Sequence, residues 1–407
     1  MRSVVCGHGA GRTTPAPGLA DIFDRYLGAY LKTHRLSGYQ HKVVSAIRAC
    51  RTAALGGHVF RCNKCGYMRH EYDSCRNRHC PRCQVYQKVK WVAARLAELL
   101  PIPYFHSVFT MPDSLNQLAL YNKELIYNLF FKATSQALNA FAQDPRFLGA
   151  RIGFIGILHT WGQALNQHIH IHYIITGGGL ANACPEQGRR NGARWVNLPY
   201  RKKFLFPAKA LSRRVRRQFA KLLWHAYREN KLVFPDALAY LVEPYCFDRY
   251  LKKVAWQNWL CYMKEPFGSP EVVVKYIGRY THRVAISDSR LNSISDGKIS
   301  FAYNKYHNNK VYPGTMTLDH DEFVRRFLLH VIPAGFKRIR HFGFLAAGCR
   351  TRSLELARGL LAVAAETVRA AQATFKLWSE DGRKCPECQQ GILELCEVLA
   401  PRQFVPG

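Results

Sequence analysis

Three histidines alternate along one short run, His168-Ile169-His170-Ile171-His172. Successive side chains of a β-strand point to opposite faces. The three imidazoles therefore share one face, and Ile169, Ile171 and Tyr173 pack on the other. Paired imidazoles on a sheet face chelate a divalent metal, and open coordination positions accept substrate oxygens. The bland alternative is the polar, solvent-facing side of an amphipathic strand, which would suffice for a single histidine. His159 lies eleven residues before His170. A hairpin through Gly162 to Gln167 would bring it beside the pair, and Gln163 in that hairpin is a rival third ligand.

Tyr276-Ile277-Gly278-Arg279-Tyr280 sets two phenols at i and i+4, on one helix face. Gly278 permits close approach of backbone or DNA, and Lys275, Arg279 and Arg283 add positive charge nearby. Aromatic pairs at helical spacing are usually core, so the pattern gains meaning only beside the histidines.

Two CxxC pairs, Cys62/Cys65 and Cys80/Cys83, are separated by 14 residues. This spacing predicts one tetrahedral zinc site of Cys62, Cys65, Cys80 and Cys83, structural because four protein ligands leave no open position. Cys75 and His79 are surplus: they replace a member of the second pair, or join a second site with His58 or His70. Arg76, Arg78 and Arg82, interspersed among the ligands, would make the module a phosphate-facing surface. Cys385-Pro-Glu-Cys388 is half a site with Cys396 as its nearest third ligand, and zinc there stands level with free surface thiols.

These residues need elements to hold them. Helices are expected over 19–30, 40–55, 85–100, 115–141, 269–281, 319–330 and 351–376. Strands are expected over 104–110, 153–160 and 168–176, the last ended by Gly177-Gly178-Gly179. Two more, 283–294 and 298–303, join through Asp296-Gly297, a hairpin signal. A hairpin-like tip is expected at 187–193. Between Glu186 and Lys231 there are 14 basic and two acidic residues, including Arg213, Arg214, Arg216 and Arg217.

The whole chain agrees with a polyanionic partner. Its 407 residues carry 59 Lys and Arg against 27 Asp and Glu, a formal charge of +32. That excess points to nucleic acid and argues against a small-molecule enzyme. The hydrophobic share of 48% excludes a disordered chain. No secretory signal or apolar run of about 18 residues is visible, so a cytoplasmic protein without a membrane partner is expected. Its 14 cysteines then serve as thiols or metal ligands. No GxxxxGK[ST] phosphate loop is present.

With CRNRHCPRC at 75–83, ILHTWGQ at 157–163, HIHIH at 168–172, YIGRYTHRVAIS at 276–287 and EFVRRFLLHVIPAGFKRIRHFG at 322–343, the chain resembles the HUH single-strand DNA nucleases. More narrowly, it resembles the two-tyrosine rolling-circle transposases of the insertion-sequence-ninety-one type, over roughly residues 19–350. The resemblance implies an α+β fold, an HUH-type antiparallel sheet flanked by helices behind an α-helical zinc-binding module. It implies His170 and His172 as ligands of a catalytic magnesium or manganese ion, and Tyr276 and Tyr280 as paired nucleophiles. The relaxase branch of the superfamily points to His159 as third ligand and the replication-initiator branch to Gln163. Relatives often have Pro where this chain has Ile169, which brings His168 forward as another candidate.

The expected organisation is a loose tail over 1–18, a zinc-binding DNA-binding module over 19–100, the nuclease and strand-transferase domain over 101–345, and a helix with a small CxxC tail over 346–407. The implied function is nicking and rejoining of single-stranded or hairpin transposon ends through 5′-phosphotyrosine, without ATP. DNA contacts would come from Arg76, Arg78, Arg82, Arg213, Arg214, Arg216, Arg217 and Arg279, with the protein on the nucleoid when DNA-bound and its oligomeric state open. The alternatives are a relaxase or replication initiator of the same chemistry, and a non-catalytic zinc DNA-binding protein. A zinc hydrolase fits poorly, because no acidic ligand follows HIHIH.

Overall fold

The computed structural model describes residues 17–182, 192–198, 205–264, 272, 278, 283–307, 310–362 and 384–402. Tyr276, Tyr280, Arg279, Lys275, most of the tip at 187–193, the helix beyond 362 and nearly all of that expected over 269–281 lie outside these residues.

The fold is α+β. Its centre is a six-stranded antiparallel sheet in the order β11-β4-β5-β3-β7, with β6 also paired to β5. The strands are β3 (Tyr104–Thr110), β4 (Arg151–Trp161), β5 (Gln167–Ala181), β6 (Arg194–Asn197), β7 (Leu260–Met263) and β11 (Ile339–Gly343). Ile169, Ile171, Tyr173, Phe105 and Phe109 face one side. There they meet α4 (Asn116–Tyr121), α5 (Lys123–Gln143), α6 (Ala208–Arg228) and α7 (Pro244–Trp256). One end of the opposite face is closed by Leu99, Leu100, Phe344 and Leu354 over Tyr104, Ile155 and Ile174. The other end carries the histidines.

A second core forms where α1 (Leu19–Thr33) and α2 (Gly38–Ala49) pack on α8 (His320–Leu329) and on Ile299 and Phe301 of a small sheet. That sheet runs β10-β9-β8, from β8 (Leu291–Ser295), β9 (Lys298–His307) and β10 (Lys310–Asp319). The N-terminal helices thus share one core with residues 285–331. A third sheet, β12-β1-β2, joins β1 (Gly57–Cys62) and β2 (Met68–Tyr72) to β12 (Leu393–Leu399).

Several expected boundaries shift for identifiable reasons. Gly177-Gly178-Gly179 continues β5 instead of ending it. A Cβ there would meet the Pro103 carbonyl at 2.8 Å, the Trp195 ring at 2.7 Å and the Arg151 carbonyl at 2.6 Å, so the glycines admit close neighbours. The helix over 115–141 breaks at Asn122, whose amide bonds to Leu118 O and to both backbone groups of Val233. α2 stops at Ala49 because Cys50 turns extended and Arg51 left-handed (φ 59°). The strand over 283–294 shortens to β8, preceded by a 3-10 turn at Asp288–Arg290. The Asp296-Gly297 turn forms, with φ 51° and 72°, the signs a type I′ turn requires. Strands β1, β2, β6, β7, β10, β11 and β12 and helices α6 and α7 were not read from the sequence. α3 (Gln84–Leu96) and α9 (Arg350–Leu360) complete the helices used below.

Candidate metal centre on the open sheet face

The β4–β5 hairpin turns through Gly162 to Asn166, where Gly162 N–H donates to Asn166 O at 2.9 Å. Its register sets His159 directly across from His170. His159, His170 and His172 then present one ring nitrogen each, all within 4.8 Å of one another. Their ring centroids stand 4.9–5.3 Å apart. His168 lies 4.9 Å from the His170 ring but outside this cluster, as does Gln163, whose backbone carbonyl accepts from Arg290.

The backbone and one further histidine fix the rings. His170 Nδ1 donates to His168 O at 2.9 Å, so its Nε2 carries the free lone pair. His172 Nδ1 lies 3.0 Å from His106 Nε2 on β3. With Nε2 of His172 turned to a metal, its Nδ1–H is the donor in that bond. His159 is buried and stacked on Trp161.

Burial holds these rings neutral. It pushes His170 down to about 4, His106 to about 4 and His172 well below its ordinary value. The charges of His159 and His170 add to the effect on His172, and the Arg283 charge acts on both His170 and His172. Neutral imidazoles with paired outer nitrogens are the state a divalent ion requires.

The histidine face continues to the sheet edge. The cross-strand rows are His159–His170–Thr110–Leu260 and Ile157–His172–Val108–Tyr262. Leu260 and Tyr262 end these rows 62% and 52% exposed. At about 4.8 Å per strand, Tyr262 lies roughly 10 Å from His172.

The cysteines group differently from the sequence expectation. Cys62, Cys65, Cys80 and Cys83 do not form one site. Cys80 and Cys83 join Cys50 and Cys75, while Cys62 and Cys65 join Cys385 and Cys388. Cys50 and Cys75 each approach Cys83 at 3.5 Å. A Zn–S bond of 2.3 Å gives a tetrahedral edge of about 3.8 Å, so this sulfur cage fits zinc. The two pairs separate because β1 and β2 carry Cys62 and Cys65 to the far side of the module, whereas the extended Cys50 reaches the 75–83 loop. His79 is buried outside both cages, pushed to about 3 by burial and the Arg338 and Arg78 charges.

The arginines divide too. Arg76, Arg213, Arg214 and Arg217 are exposed. Arg78 instead donates to Phe336 O, and Arg82 binds Cys50 O and pairs with Asp288. Arg216 donates to the carbonyls of Trp256 and Gln257 at the end of α7, the end where a cation is favoured.

Two family models match the chain. One, described as "Transposase zinc-binding domain", covers residues 22–111, and the other, described as "Putative transposase", covers residues 153–353. A protein of Sinorhizobium fredii named "Putative transposase y4qJ" is 43% identical over 391 residues, 94% of this chain and 96% of that protein. The chain belongs to the IS91/IS801-type transposases. The transposase for insertion sequence element IS801 of Pseudomonas savastanoi pv. phaseolicola is 30% identical over 82% of this chain and 77% of its own length. No solved structure matches this transposase significantly. Among its described residues, no helix is long and apolar enough to cross a membrane.

Sequence reasoning missed His106 and Cys50 and left Cys385 and Cys388 without their partners. His106 is a lone histidine whose relevance needs the β3–β5 register. Cys50 has no partner at ligand spacing. Cys385 and Cys388 show half a site, but nothing in their spacing names the other half.

Proposed function

We propose that this transposase nicks and rejoins single-stranded DNA at transposon ends through 5′-phosphotyrosine intermediates, without ATP, in rolling-circle transposition. The observation that carries the reading is the cluster of His159, His170 and His172, two of them buried and His170 half-buried, beside the charge of Arg283. Arg283 stands three residues after Tyr280, so the chain leaving the tyrosine segment passes the triad. Gly278, midway between the tyrosines, is buried, and a Cβ on it would lie 2.6 Å from Val92 of α3.

In the proposed step the phenol oxygen of Tyr276 or Tyr280 attacks the scissile phosphorus and its proton passes to solvent. A Tyr–O–P bond forms, the P–O3′ bond breaks, and the 3′ oxygen leaves and takes a proton from solvent to become the 3′-hydroxyl. Free tyrosine ionises near 10, so Arg283, with Lys275 and Arg279, serves to favour phenolate. His159, His170 and His172 would hold magnesium or manganese, which would supply positive charge to the scissile phosphate. Two tyrosines permit two attachments, one to the donor strand and one to the target. The strand runs along the open sheet face toward Tyr262, whose exposed ring suits base stacking. The zinc module and exposed arginines such as Arg213, Arg214 and Arg217 supply salt-sensitive grip. A relaxase or replication initiator would share the chemistry, and family membership favours transposition.

Covalent trapping tests this reading. Labelled single strands bearing the element ends are incubated with protein and Mn²⁺ and resolved on a denaturing gel. The expected adduct persists in Tyr276→Phe and in Tyr280→Phe and vanishes in the double variant. His170→Ala and His172→Ala should lose cleavage yet bind DNA as before. An adduct surviving the double tyrosine change, or cleavage surviving the histidine changes, would overturn the assignment.

A further inference from the structure

The segment matched by the zinc-binding domain ends at residue 111, yet two of its cysteines find their partners beyond residue 380. Cys62 Sγ lies 3.7 Å from Cys388 Sγ, and Cys65 Sγ lies 3.6 Å from Cys385 Sγ. All four sulfurs fall within 4.8 Å of one another, and all four are free thiols. These separations match the tetrahedral edge of about 3.8 Å for Zn–S bonds of 2.3 Å.

Backbone donors surround the cage from both sides. Lys64 N–H and Cys65 N–H point to Cys62 Sγ at 3.4 and 3.5 Å, and Gly391 N–H points to Cys388 Sγ at 3.3 Å. The two CxxC turns are therefore related in form, each offering amide hydrogens to a thiolate. They also lock to one another. Asn63 N–H donates to Ile392 O at 3.1 Å, and Ile392 N–H donates to Asn63 Oδ1 at 3.0 Å. A Cβ on Gly391 would fall 2.3 Å from Cys62 Sγ, so only glycine lets the second turn close on the first. Strand β12 continues the contact along β1, from Cys62 opposite Leu393 to Gly57 opposite Leu399.

We infer that Cys62, Cys65, Cys385 and Cys388 bind a second structural zinc ion, which clasps the C-terminal hairpin onto the N-terminal module. The chain then holds two zinc ions, one cage built within residues 50–83 and one shared between distant parts of the sequence. The clasp is the more accessible: Cys65 is exposed and Cys388 half-buried, whereas Cys50, Cys80 and Cys83 are buried. It binds and positions; with four protein ligands it offers no coordination site to substrate.

Metal content of the full chain tests the clasp independently of any DNA chemistry. Elemental analysis of wild type should give two zinc per chain. Cys385→Ser/Cys388→Ser should give one, and Cys388→His, which keeps a zinc ligand, should restore two. One zinc in wild type, iron in place of zinc, or two zinc in the double serine variant would overturn the inference. Should the serine variant fail to fold, a protease site inserted between residues 362 and 384 of wild type gives a second reading. After cleavage the 384–402 piece should stay bound in zinc buffer and leave on chelation. Its departure with zinc present, or its retention after chelation, would refute the clasp. Neither failure would touch the proposed tyrosine chemistry.

Discussion

His106 acts through another residue. Its bond to His172 Nδ1 orients the imidazole that faces the cluster. Partners in this position typically contribute 10- to 100-fold to metal affinity. We expect His106→Ala to raise the Mn²⁺ concentration needed for half-maximal cleavage by about that factor, with cleavage at saturating metal largely retained. A titration that leaves the midpoint unmoved would remove His106 from the site. The alternation of His168, His170 and His172 was plain in the sequence because a period of two is a local property. His106 was not, because its role depends on which strand lies beside β5. The same limit explains the cysteines: CxxC announces a half-site, and only β12 against β1 shows which halves meet.

At the scale of the element, Gly278 carries the argument. The Val92 methyl 2.6 Å from its Cβ position leaves no room for a side chain, and valine has no flexible end to yield. Gly278→Ala should push the tyrosine-bearing segment from α3 and lower the rate of adduct formation. A displacement of about 1 Å can cost roughly 100-fold. Val92→Ala in the same chain should recover most of that loss, since it removes the clashing methyl. A rate unaffected by Gly278→Ala, or a double variant no better than the single one, would show that this contact does not set the tyrosines. Part of the fold was legible in outline: β3 lies where its aromatic and β-branched residues put it, and Asp296-Gly297 turns as its residue types demand. The departures came where side chains or close neighbours override local preference. Asn122 cuts a helix with its own amide, and Gly177–Gly179 stay in a strand because Pro103, Trp195 and Arg151 crowd it.

At the scale of the molecule, buried histidines tie stability to pH. His330 is pushed to about 4 by burial, although its bond to Leu165 O opposes the shift. His341 is held at about 4 by burial and the Arg95 and Arg350 charges. Both ionise near 6.5 when unfolded. As pH falls, the unfolded chain takes up these protons first, so their contribution is whole above about 6.5 and lost on the way to about 4. Each adds a slope of up to about 1.4 kcal/mol per pH unit within that window. Urea unfolding at a series of pH values should show stability falling through this range, less steeply in His330→Gln. An equal slope in both proteins would mean that His330 takes its proton while folded.

The β12-β1-β2 sheet also sets an order of events during synthesis. Cys65 precedes Cys385 by 320 residues. At 5–20 residues per second, the first hairpin waits roughly 16–64 s for its third strand. Until then β1 is an open edge with a row of unpaired amides, and Cys62 at its end and Cys65 in the turn after it lack their partners. A message cut short or shifted in frame before residue 385 leaves it open for good. Only translation past Cys388 supplies the two sulfurs that close the cage begun by Cys62 and Cys65.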